Sequence, residues 1–329
     1  MSGRQLKYRF TPLAFHYLLS ITVLLLSSCA RPGVPKDTST SGSISIAADY
    51  EYQPVTQAEI EVFQALYHNA SLKPVFATED SAFQLLMADS VRLVIASRKL
   101  LPSEENYFHT LKLYPEQMKV ATDALALIVN KENTDTLLTL NRLKAIFGGQ
   151  DSIWRHQTDV SGSHPKKSSP DISPERMSIV FDYANSGSSR YILQNLAGAK
   201  KLPDYCYALH GNTEVIEYVS KNKNAMGVIG INWISNVYDT SVIRHMNDIT
   251  VIAVAKKDAP SPGDYFKPGI ENILYGNYPL CRDMYIVSRE AYTGLGSGFF
   301  SFVTSNRGQR IIYRDGLAPV TAISHTISY

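Results

Sequence analysis

The amino-acid sequence predicts an α/β fold with mainly parallel strands. Short apolar runs alternate along the chain with amphipathic stretches of helical spacing, as in strand–helix–strand units. The chain has 329 residues, of which 44% are hydrophobic and 19% are charged. That length suits one large or two medium domains with a substantial core, and the ordinary composition excludes a wholly disordered, collagen-like or coiled-coil protein.

Eight short apolar runs are predicted as strands, each separated from the next by a helical or polar stretch. In chain order they are Ser43–Ala47, Pro74–Ala77, Val91–Ala96, Ala124–Val129, Ser178–Asp182, Met226–Ile231, Thr250–Ala255 and Met284–Val287.

Helices are predicted where apolar residues fall on one helical face next to a recognisable end. The capping box Thr56–Glu59 predicts a helix that begins there, and Ser81–Met87 follows a strand directly. Two further helices are predicted at Thr139–Phe147, which ends at Gly148, and at Gly298–Arg314. The segment 159–175 is poor in apolar residues and is predicted to be a surface loop.

The first 28 residues have the pattern of a secretory signal peptide. Arg4, Lys7 and Arg9 form a basic region, and the apolar stretch Leu13–Leu26 is too short and too often polar for a membrane span. The segment Leu26–Cys29 (LSSC) resembles the lipobox of bacterial lipoproteins, in which the chain is cut before the cysteine and that cysteine is acylated. The alternative is an ordinary signal peptide followed by a chance cysteine.

A lipobox implies a chain held by acyl groups on Cys29 and facing the periplasm or the cell exterior. Residues 29–43 are rich in Pro, Gly, Ser and Thr and are predicted to form a flexible tether. An extracytoplasmic compartment is oxidising, so Cys206 and Cys281 are either a disulfide or two buried thiols.

Charge and motifs exclude several classes of protein. The formal charge is +2, but removal of residues 1–28 with their three basic residues leaves 29 basic and 30 acidic residues, or −1. Basic residues are scattered, which argues against nucleic acid. The eight histidines and three cysteines show no metal-ligand spacing, so no metal is expected. Because no nucleophile elbow or phosphate-binding glycine motif is present, we expect no catalytic residues, no cofactor and no enzyme.

Four sets of segments, in this order, resemble the phosphate-binding lipoproteins of bacterial ABC import systems, a family of type II periplasmic binding proteins. They cover most of residues 44–320. The first set is Ile95–Leu100 followed by Glu104 and Glu105, the second Asp123–Asn133 with Leu138–Trp154, the third Val180–Tyr191, and the last Met226–Ile231, Tyr278–Leu280 and Phe302–Pro319.

The resemblance implies two α/β lobes with a ligand cleft between them. We expect one lobe over residues 44–122, a second over 123–285, and a C-terminal segment, 286–329, that returns to the first. It also implies a monomer that captures a small anion, phosphate or a similar oxyanion, by lobe closure and delivers it to an ABC permease.

The ligand contacts are expected where serines and glycine precede a helix. Ser186, Gly187 and Ser188 follow a strand and resemble the family's Ser-Gly-Thr loop, where backbone N–H groups and hydroxyls can hold an anion. Ser81 is a second such position, and both places could also be simple helix caps. The full predicted set is Ser81, Ser97, Arg98, Asn185, Ser186, Gly187, Ser188 and Arg190.

The charges at the site depart from the family pattern. Some members place an arginine where this chain has Asp182, and those members place an aspartate where this chain has Arg98. The sequence therefore predicts an ion pair between Arg98 and Asp182 across the cleft. The first loop carries Asp49 and Glu51, which favours an alternative role as a surface adaptor or sensor without transport. A third interpretation, a hydrolase using Asp49 and Glu51 as acid and base, is the least favoured.

Overall fold

The computed structural model describes residues 37–155, 176–198, 201–235 and 240–321. The predicted signal peptide, Cys29, the whole of the predicted loop 159–175 and most of the predicted tether 29–43 lie outside these residues. Within the described part of the chain, no helix is long and apolar enough to cross a membrane.

Strands and helices alternate through most of the described chain. The strands are β1 Gly42–Asp49, β2 Ala70–Ala77, β3 Leu93–Ala96, β4 Glu116–Asn130, β5 Leu137–Thr139, β6 Ser178–Phe181, β7 Cys206–Ala208, β8 Ala225–Gly230, β9 Ile249–Val251, β10 Ala253–Ala255, β11 Tyr265–Phe266, β12 Cys281–Ser288 and β13 Ala318–Pro319. The helices are α1 Gln53–Leu66, α2 Glu79–Met87, α3 Pro102–Thr110, α4 Leu140–Phe147, α5 Gly187–Ile192, α6 Asn212–Lys221, α7 Asn232–Ser235, α8 Thr240–Met246, α9 Ile270–Leu274, α10 Leu295–Thr304 and α11 Asn306–Arg314.

Most strands belong to one continuous sheet with the order β2-β1-β3-β12-β4-β8-β6-β7. At one end β1 pairs in parallel with β2 and β3, and at the other β6 pairs in parallel with β7 and β8. Between these two groups, β12 and β4 are antiparallel to their neighbours. The predicted α/β fold class is confirmed, with two parallel groups joined by crossing strands.

The long strand β4 joins the two halves of the molecule. Its first part, Glu116–Ala124, pairs with β12, and its second part, Leu125–Val129, pairs with β8. We call the half containing β1, β2 and β3 the first lobe, and the half containing β6, β7 and β8 the second lobe. Residues 123–130 of β4 are buried throughout, since both faces of the strand are covered. The residue boundaries predicted for the lobes stay predictions.

The predicted strands Pro74–Ala77 and Met284–Val287 begin earlier, at Ala70 and Cys281, and two other strand predictions need larger corrections. The strand expected at Ala124–Val129 begins eight residues earlier, at Glu116. The run Thr250–Ala255 divides at Ile252, because β9 pairs with β4 whereas β10 pairs with β5 in a separate three-stranded sheet. The Ile252 side chain is fully buried, and its N–H donates to the Leu127 carbonyl at 2.8 Å. Ile252 therefore anchors the chain where it passes from β9 in the large sheet to β10 in the three-stranded sheet.

Two helix predictions are also corrected. Helix α1 begins at Gln53, with a proline in its first turn, so Thr56 is buried inside the helix and the capping box does not mark its start. The helix predicted over Gly298–Arg314 is two helices separated at Ser305, whose hydroxyl accepts from the Gly308 N–H at 3.5 Å. The two helices can pack closely at this corner because Gly308 has no side chain; a Cβ at this position would lie only 2.5 Å from the Phe302 carbonyl oxygen.

The end of the predicted tether is folded. Thr38 and Ser41 form a bridge just before β1, and a Cβ on Gly298 would lie 1.8 Å from the Ser39 carbonyl oxygen.

Cys206 and Cys281 are free, half-buried thiols, so the disulfide left open by the sequence is not formed. Burial raises the pKa of Cys206 to about 12 and that of Cys281 to about 11, which makes both thiols poor nucleophiles.

Candidate functional site

Polar side chains meet where strands of the two lobes end. Asp49 ends β1, Ser97 follows β3, and Asp182 follows β6, so all three come from the carboxyl ends of parallel strands. In open α/β sheets the loops at these ends form the ligand crevice.

Helix α5 presents its first turn to the first lobe. Ser186 caps the helix by accepting from the Ser189 N–H at 3.2 Å. The Gly187 N–H donates to Asp49 Oδ2 at 3.2 Å, and the Ser188 hydroxyl donates to Glu51 Oε2. The hydrogen-bond donors expected to hold a ligand oxyanion therefore hold two carboxylates of the chain itself.

A buried arginine lies beneath this turn. Arg282 donates through Nε to Asp123 Oδ2 at 2.7 Å, and its Nη2 lies 3.5 Å from Glu51 Oε1. A third nitrogen, Nη1, donates to Ser188 Oγ at 3.3 Å. Arg282 thus links both crossing strands, β12 and β4, to the helix of the second lobe.

Arg190 and Ser97 form a second link between the lobes. The Arg190 Nη2 donates to Ser97 Oγ at 2.9 Å, and its Nη1 forms an ion pair with Glu79. Glu79 is fully buried and also accepts from the Ser97 N–H at 2.7 Å and the Ser97 hydroxyl at 2.8 Å. The predicted residues Ser97 and Arg190 are therefore brought together.

The structure does not bring Arg98 and Asp182 together. The Arg98 guanidinium lies 3.3 Å from Glu79, 3.2 Å from Asp80 and 2.7 Å from Glu104, all in the first lobe. Its charge also lies 3.9 Å above the Phe83 ring. The predicted cross-cleft pair is replaced because three carboxylates in the arginine's own lobe are nearer.

Asp182 is fully buried, and neither of its carboxylate oxygens has a hydrogen-bond partner of normal geometry in the described structure. Burial, with the Glu51 charge added, raises the pKa of Asp182 to about 7. The Ser186 side chain, the Tyr183 N–H and the Arg282 charge act in the opposite direction and only partly offset this rise.

Two further carboxyls at the site titrate close to neutral pH. Burial raises the pKa of Asp49 to about 6, with the Asp182 charge as the second cause. Burial also raises the pKa of Glu51 to about 7, although the Arg282 charge opposes the rise. The charge of the site therefore changes between about pH 6 and pH 7.

A cavity of about 440 Å³ opens beside these groups. It is lined by Arg98, Arg190 and Arg282 together with Ser97, and Asp80 is the one acid among the described residues of its wall. We call this the arginine cavity.

Two predicted contacts lie elsewhere. Ser81 is exposed, and its hydroxyl accepts from that of Thr78 at 2.9 Å. Asn185 is exposed and borders a different cavity of about 410 Å³. Neither lines the arginine cavity.

Sequence reasoning missed three important residues, namely Glu79, Asp123 and Arg282. One signal was present for two of them. Asp123 and Arg282 carry opposite charges just before two apolar runs predicted as strands, and the strand register places them directly opposite each other. That register joins positions far apart in the chain, so it could not be known before the fold. No cluster of three or more His, Cys, Asp or Glu side chains with metal-binding geometry occurs in the described ranges.

Comparison with known proteins assigns the class. Residues 33–307 match the model of the PBP superfamily domain, the superfamily of periplasmic binding proteins. The chain belongs to this family, which confirms the resemblance, the two-lobed fold class and the prediction of a binding protein rather than an enzyme.

Particular relatives refine this placement. The phosphate-binding protein PstS of Pseudomonas aeruginosa is 25% identical over 298 residues, which cover 89% of this chain and 88% of the relative. Among solved structures, a protein from Clostridium perfringens assigned as a phosphate ABC transporter substrate-binding protein, with bound phosphate, gives a TM-score of 0.66 at 23% identity, covering 85% of this chain and all of that one. An ABC-type phosphate transport receptor from Vibrio cholerae gives a TM-score of 0.59 at 21% identity, covering 84% and 99%.

Proposed function

We propose that this protein is an extracytoplasmic solute-binding lipoprotein that captures a small oxyanion between its lobes and delivers it to an ABC permease. The named relatives are phosphate-binding and phosphate-transport proteins. The main support for the proposal is the donor set, the group of hydrogen-bond donors where the two lobes meet. Gly187, Ser188 and Arg282 already hold carboxylate oxygens there, and a carboxylate is itself an oxyanion.

The ligand enters through the arginine cavity. Arg190 and Arg282 line this cavity; Arg282 donates to Ser188 in the first turn of α5, and Arg190 donates to Ser97 of the first lobe. Ser97 supplies a hydroxyl at the same place. We propose Ser97, Gly187, Ser188, Arg190 and Arg282 as the ligand contacts. The charge of Arg98 is already balanced by Glu79, Asp80 and Glu104, so Arg98 contributes less than the other two arginines.

Anion capture is coupled to proton uptake in this proposal. Asp49, Glu51 and Asp182 surround the donor set, and at a pH above about 7 their charges would repel an anion. Two unit charges 4 Å apart interact by roughly 4 kcal/mol at an effective dielectric of 20. Protonation of these carboxyls removes the repulsion and frees the donors that the carboxylates occupy.

Lobe closure supplies the conformational step. The contacts Gly187–Asp49, Ser188–Glu51 and Arg190–Ser97 each join one lobe to the other. An oxyanion that accepts the same hydrogen bonds would favour the same closed arrangement, as in hinge closure around ligands. The permease would then recognise the closed form.

Titration calorimetry with sodium sulfate and sodium phosphate tests the proposal. Both anions are expected to bind, and Arg190→Gln should weaken binding by at least tenfold, about 1.4 kcal/mol. The matched control is Arg155→Gln, because Arg155 is an exposed arginine outside the arginine cavity. Failure of both anions to bind anywhere between about pH 5.5 and pH 8 would contradict the oxyanion function.

The lipid anchor rests on the sequence around Cys29. The segment LSSC and the basic, apolar residues before it support cleavage and acylation at this position. Phase partition in Triton X-114 should place the wild-type protein in the detergent phase and the Cys29→Ala variant, if processed, in the aqueous phase. A wild-type protein recovered entirely from the aqueous phase would contradict the anchor.

One observation favours the adaptor or sensor alternative. The chain's own carboxylates satisfy the Gly187 and Ser188 donors, so the site is complete without a solute. Uptake of radiolabelled phosphate separates the two functions. A strain lacking this chain should lose high-affinity uptake if the protein serves transport and should keep it if the protein is an adaptor or sensor.

A further inference from the structure

A second and larger cavity lies between the lobes. Its volume is about 800 Å³, and among the described residues it shares no lining residue with the arginine cavity. Tyr50 and the start of α1 form its wall on the first lobe. Tyr183, the first turn of α6 and the residues after β8 form its wall on the second lobe. A cavity of this size is in the range of small-molecule sites.

Two buried amides line this cavity without full hydrogen bonding. Asn212 is 1% exposed, and neither its Nδ2 nor its Oδ1 has a partner in the described structure. Asn232 is also 1% exposed; its Nδ2 donates to the Glu51 carbonyl at 3.1 Å, but its Oδ1 has no partner. Buried side-chain polar atoms nearly always have partners. The described residues of the cavity wall therefore include one buried donor group and two buried acceptors without partners.

Aromatic rings form flat surfaces around these amides. The Tyr50 and Tyr183 rings stack across the lobe junction with centroids 4.4 Å apart and an interplanar angle of 27°. The Trp233 indole N–H donates to the Glu51 carbonyl at 2.9 Å, which fixes the ring at the cavity wall. Such rings present both apolar faces and polar edges to a ligand.

The charged groups on the wall are of both signs. The described wall residues carry the carboxyls of Glu61, Glu214 and Asp315 and one guanidinium, that of Arg314, which lies 3.6 Å from Asp315; Glu214 accepts from the His210 backbone N–H at 3.1 Å. Acidic groups are therefore in excess, which argues against an anionic ligand, and carboxylates can accept hydrogen bonds from hydroxyl groups. Hydroxyl groups both donate and accept, so they match the unused donor and acceptors of the two asparagines.

We propose that this cavity is a second ligand site, for a neutral polyhydroxylated molecule such as a mono- or disaccharide. The C–H faces of the sugar ring pack on Tyr183 or Trp233, and its hydroxyls bind Asn212 and Asn232. The site is distinct from the proposed oxyanion site, because the described residues that line the two cavities are different.

Tryptophan fluorescence provides the test, since the chain has two tryptophans and only Trp233 lines the cavity. The full chain carrying Trp154→Phe, purified in a non-glycosidic detergent, is titrated with glucose, maltose and trehalose. At least one sugar should give a saturable change. Calorimetry of the unaltered chain with the same sugars repeats the measurement in case Trp154→Phe disturbs folding, because Trp154 is buried.

Asn212→Ala should weaken the sugar response by at least tenfold. This change removes no internal hydrogen bond, because the Asn212 side chain has none. The control is Asn222→Ala, at the other end of the same helix and exposed. Sulfate affinity should be the same in both variants, which separates this site from the oxyanion site. An unchanged sugar affinity in Asn212→Ala, or no saturable response to any of the three sugars by either method, would overturn the proposal.

Discussion

Gly187 lies where the backbone of α5 comes closest to the side chains of the site. A Cβ at this position would be 2.9 Å from Asp49 Oδ2, 3.0 Å from Ser97 Oγ and 3.3 Å from Arg282 Nη1. These contacts are closer than a methyl group tolerates, so the residue must be small for α5 to donate its first N–H across the cleft.

Gly187→Ala is therefore expected to reduce the free energy of unfolding by about 1–3 kcal/mol and to weaken sulfate binding. Urea unfolding and calorimetry measure the two effects. Gly263→Ala is the control, since nothing lies within 4 Å of a Cβ there. If Gly187→Ala behaves like Gly263→Ala in both measurements, the close contact has no importance.

Asp182 is a buried carboxyl whose negative charge destabilises the folded state. Because its pKa is raised to about 7, the carboxyl is mostly neutral at pH 5.5 and mostly charged at pH 8. Asp182→Asn should therefore raise the melting temperature at pH 8 and change it little at pH 5.5. Thermal unfolding followed by circular dichroism at both pH values measures this. An equal effect at the two pH values would mean that charge is not the reason.

At the residue scale, the sequence predicted the donors better than the charges. Ser186, Gly187 and Ser188 were expected at a helix start because small polar residues follow a strand, and the structure places them there. The partner of Arg98 was not predictable, because its nearest carboxylate depends on how α2 and α3 pack around it.

At the scale of elements, β4 and β12 carry two ion pairs in different surroundings. Arg282 and Asp123 form a pair whose side chains are 4% and 0% exposed, whereas Lys119 and Asp283 form one at 39% and 38%. Both pairs join the same two strands. The pairs differ in burial and in the further contacts of Arg282 with Glu51 and Ser188, so substitutions in each compare a buried network with an exposed ion pair.

Arg282→Met should lower the free energy of unfolding at pH 7 by about 3–5 kcal/mol, because it leaves Asp123 buried without its counter-ion. Lys119→Met should cost less than about 1 kcal/mol. Adding Asp123→Asn to Arg282→Met should restore part of the loss. Guanidinium unfolding measures all three variants, and similar costs for Arg282→Met and Lys119→Met would contradict this role.

The residues at which helices begin and end were harder to predict than the presence of the helices. Thr139 and Gly148 bound α4 as expected, since both signals are local. The capping box at Thr56 failed because the turn Tyr50–Tyr52 leads directly into Gln53, and the helix continues from there. The break at Ser305 was missed because the close contact of Gly308 with Phe302 forms only when the two helices pack.

At the scale of the whole molecule, the buried carboxyls determine how stability depends on pH. In the unfolded chain these groups have ordinary pKa values near 4, whereas burial raises those of Asp49, Glu51 and Asp182 to about 6 or 7 in the folded state. Between these values the folded state holds protons that the unfolded state has released. Folding therefore takes up protons, and stability decreases as the pH rises through this window.

The protein should accordingly unfold at a higher temperature at pH 5.5 than at pH 8, by on the order of 5 °C. Differential scanning calorimetry in buffers of matched ionic strength measures this, and the difference should shrink in Asp182→Asn. Saturating sulfate should raise the melting temperature more at pH 5.5 than at pH 8, because protonated carboxyls do not repel the anion. A melting temperature that rises between pH 5.5 and pH 8 would contradict the assignment of raised pKa values.

The sequence by itself determined the α/β class, the family and the loop that presents Ser186–Ser188, because these depend on local periodicity and on residues close together in the chain. It also indicated that the charges of the site are unusual. Only the tertiary structure decided which charges meet: Arg282 with Asp123 and Glu51, and Arg190 with Glu79. Ion pairs between distant segments depend on strand register and lobe packing, and burial then raises the pKa of the carboxyls that remain incompletely paired.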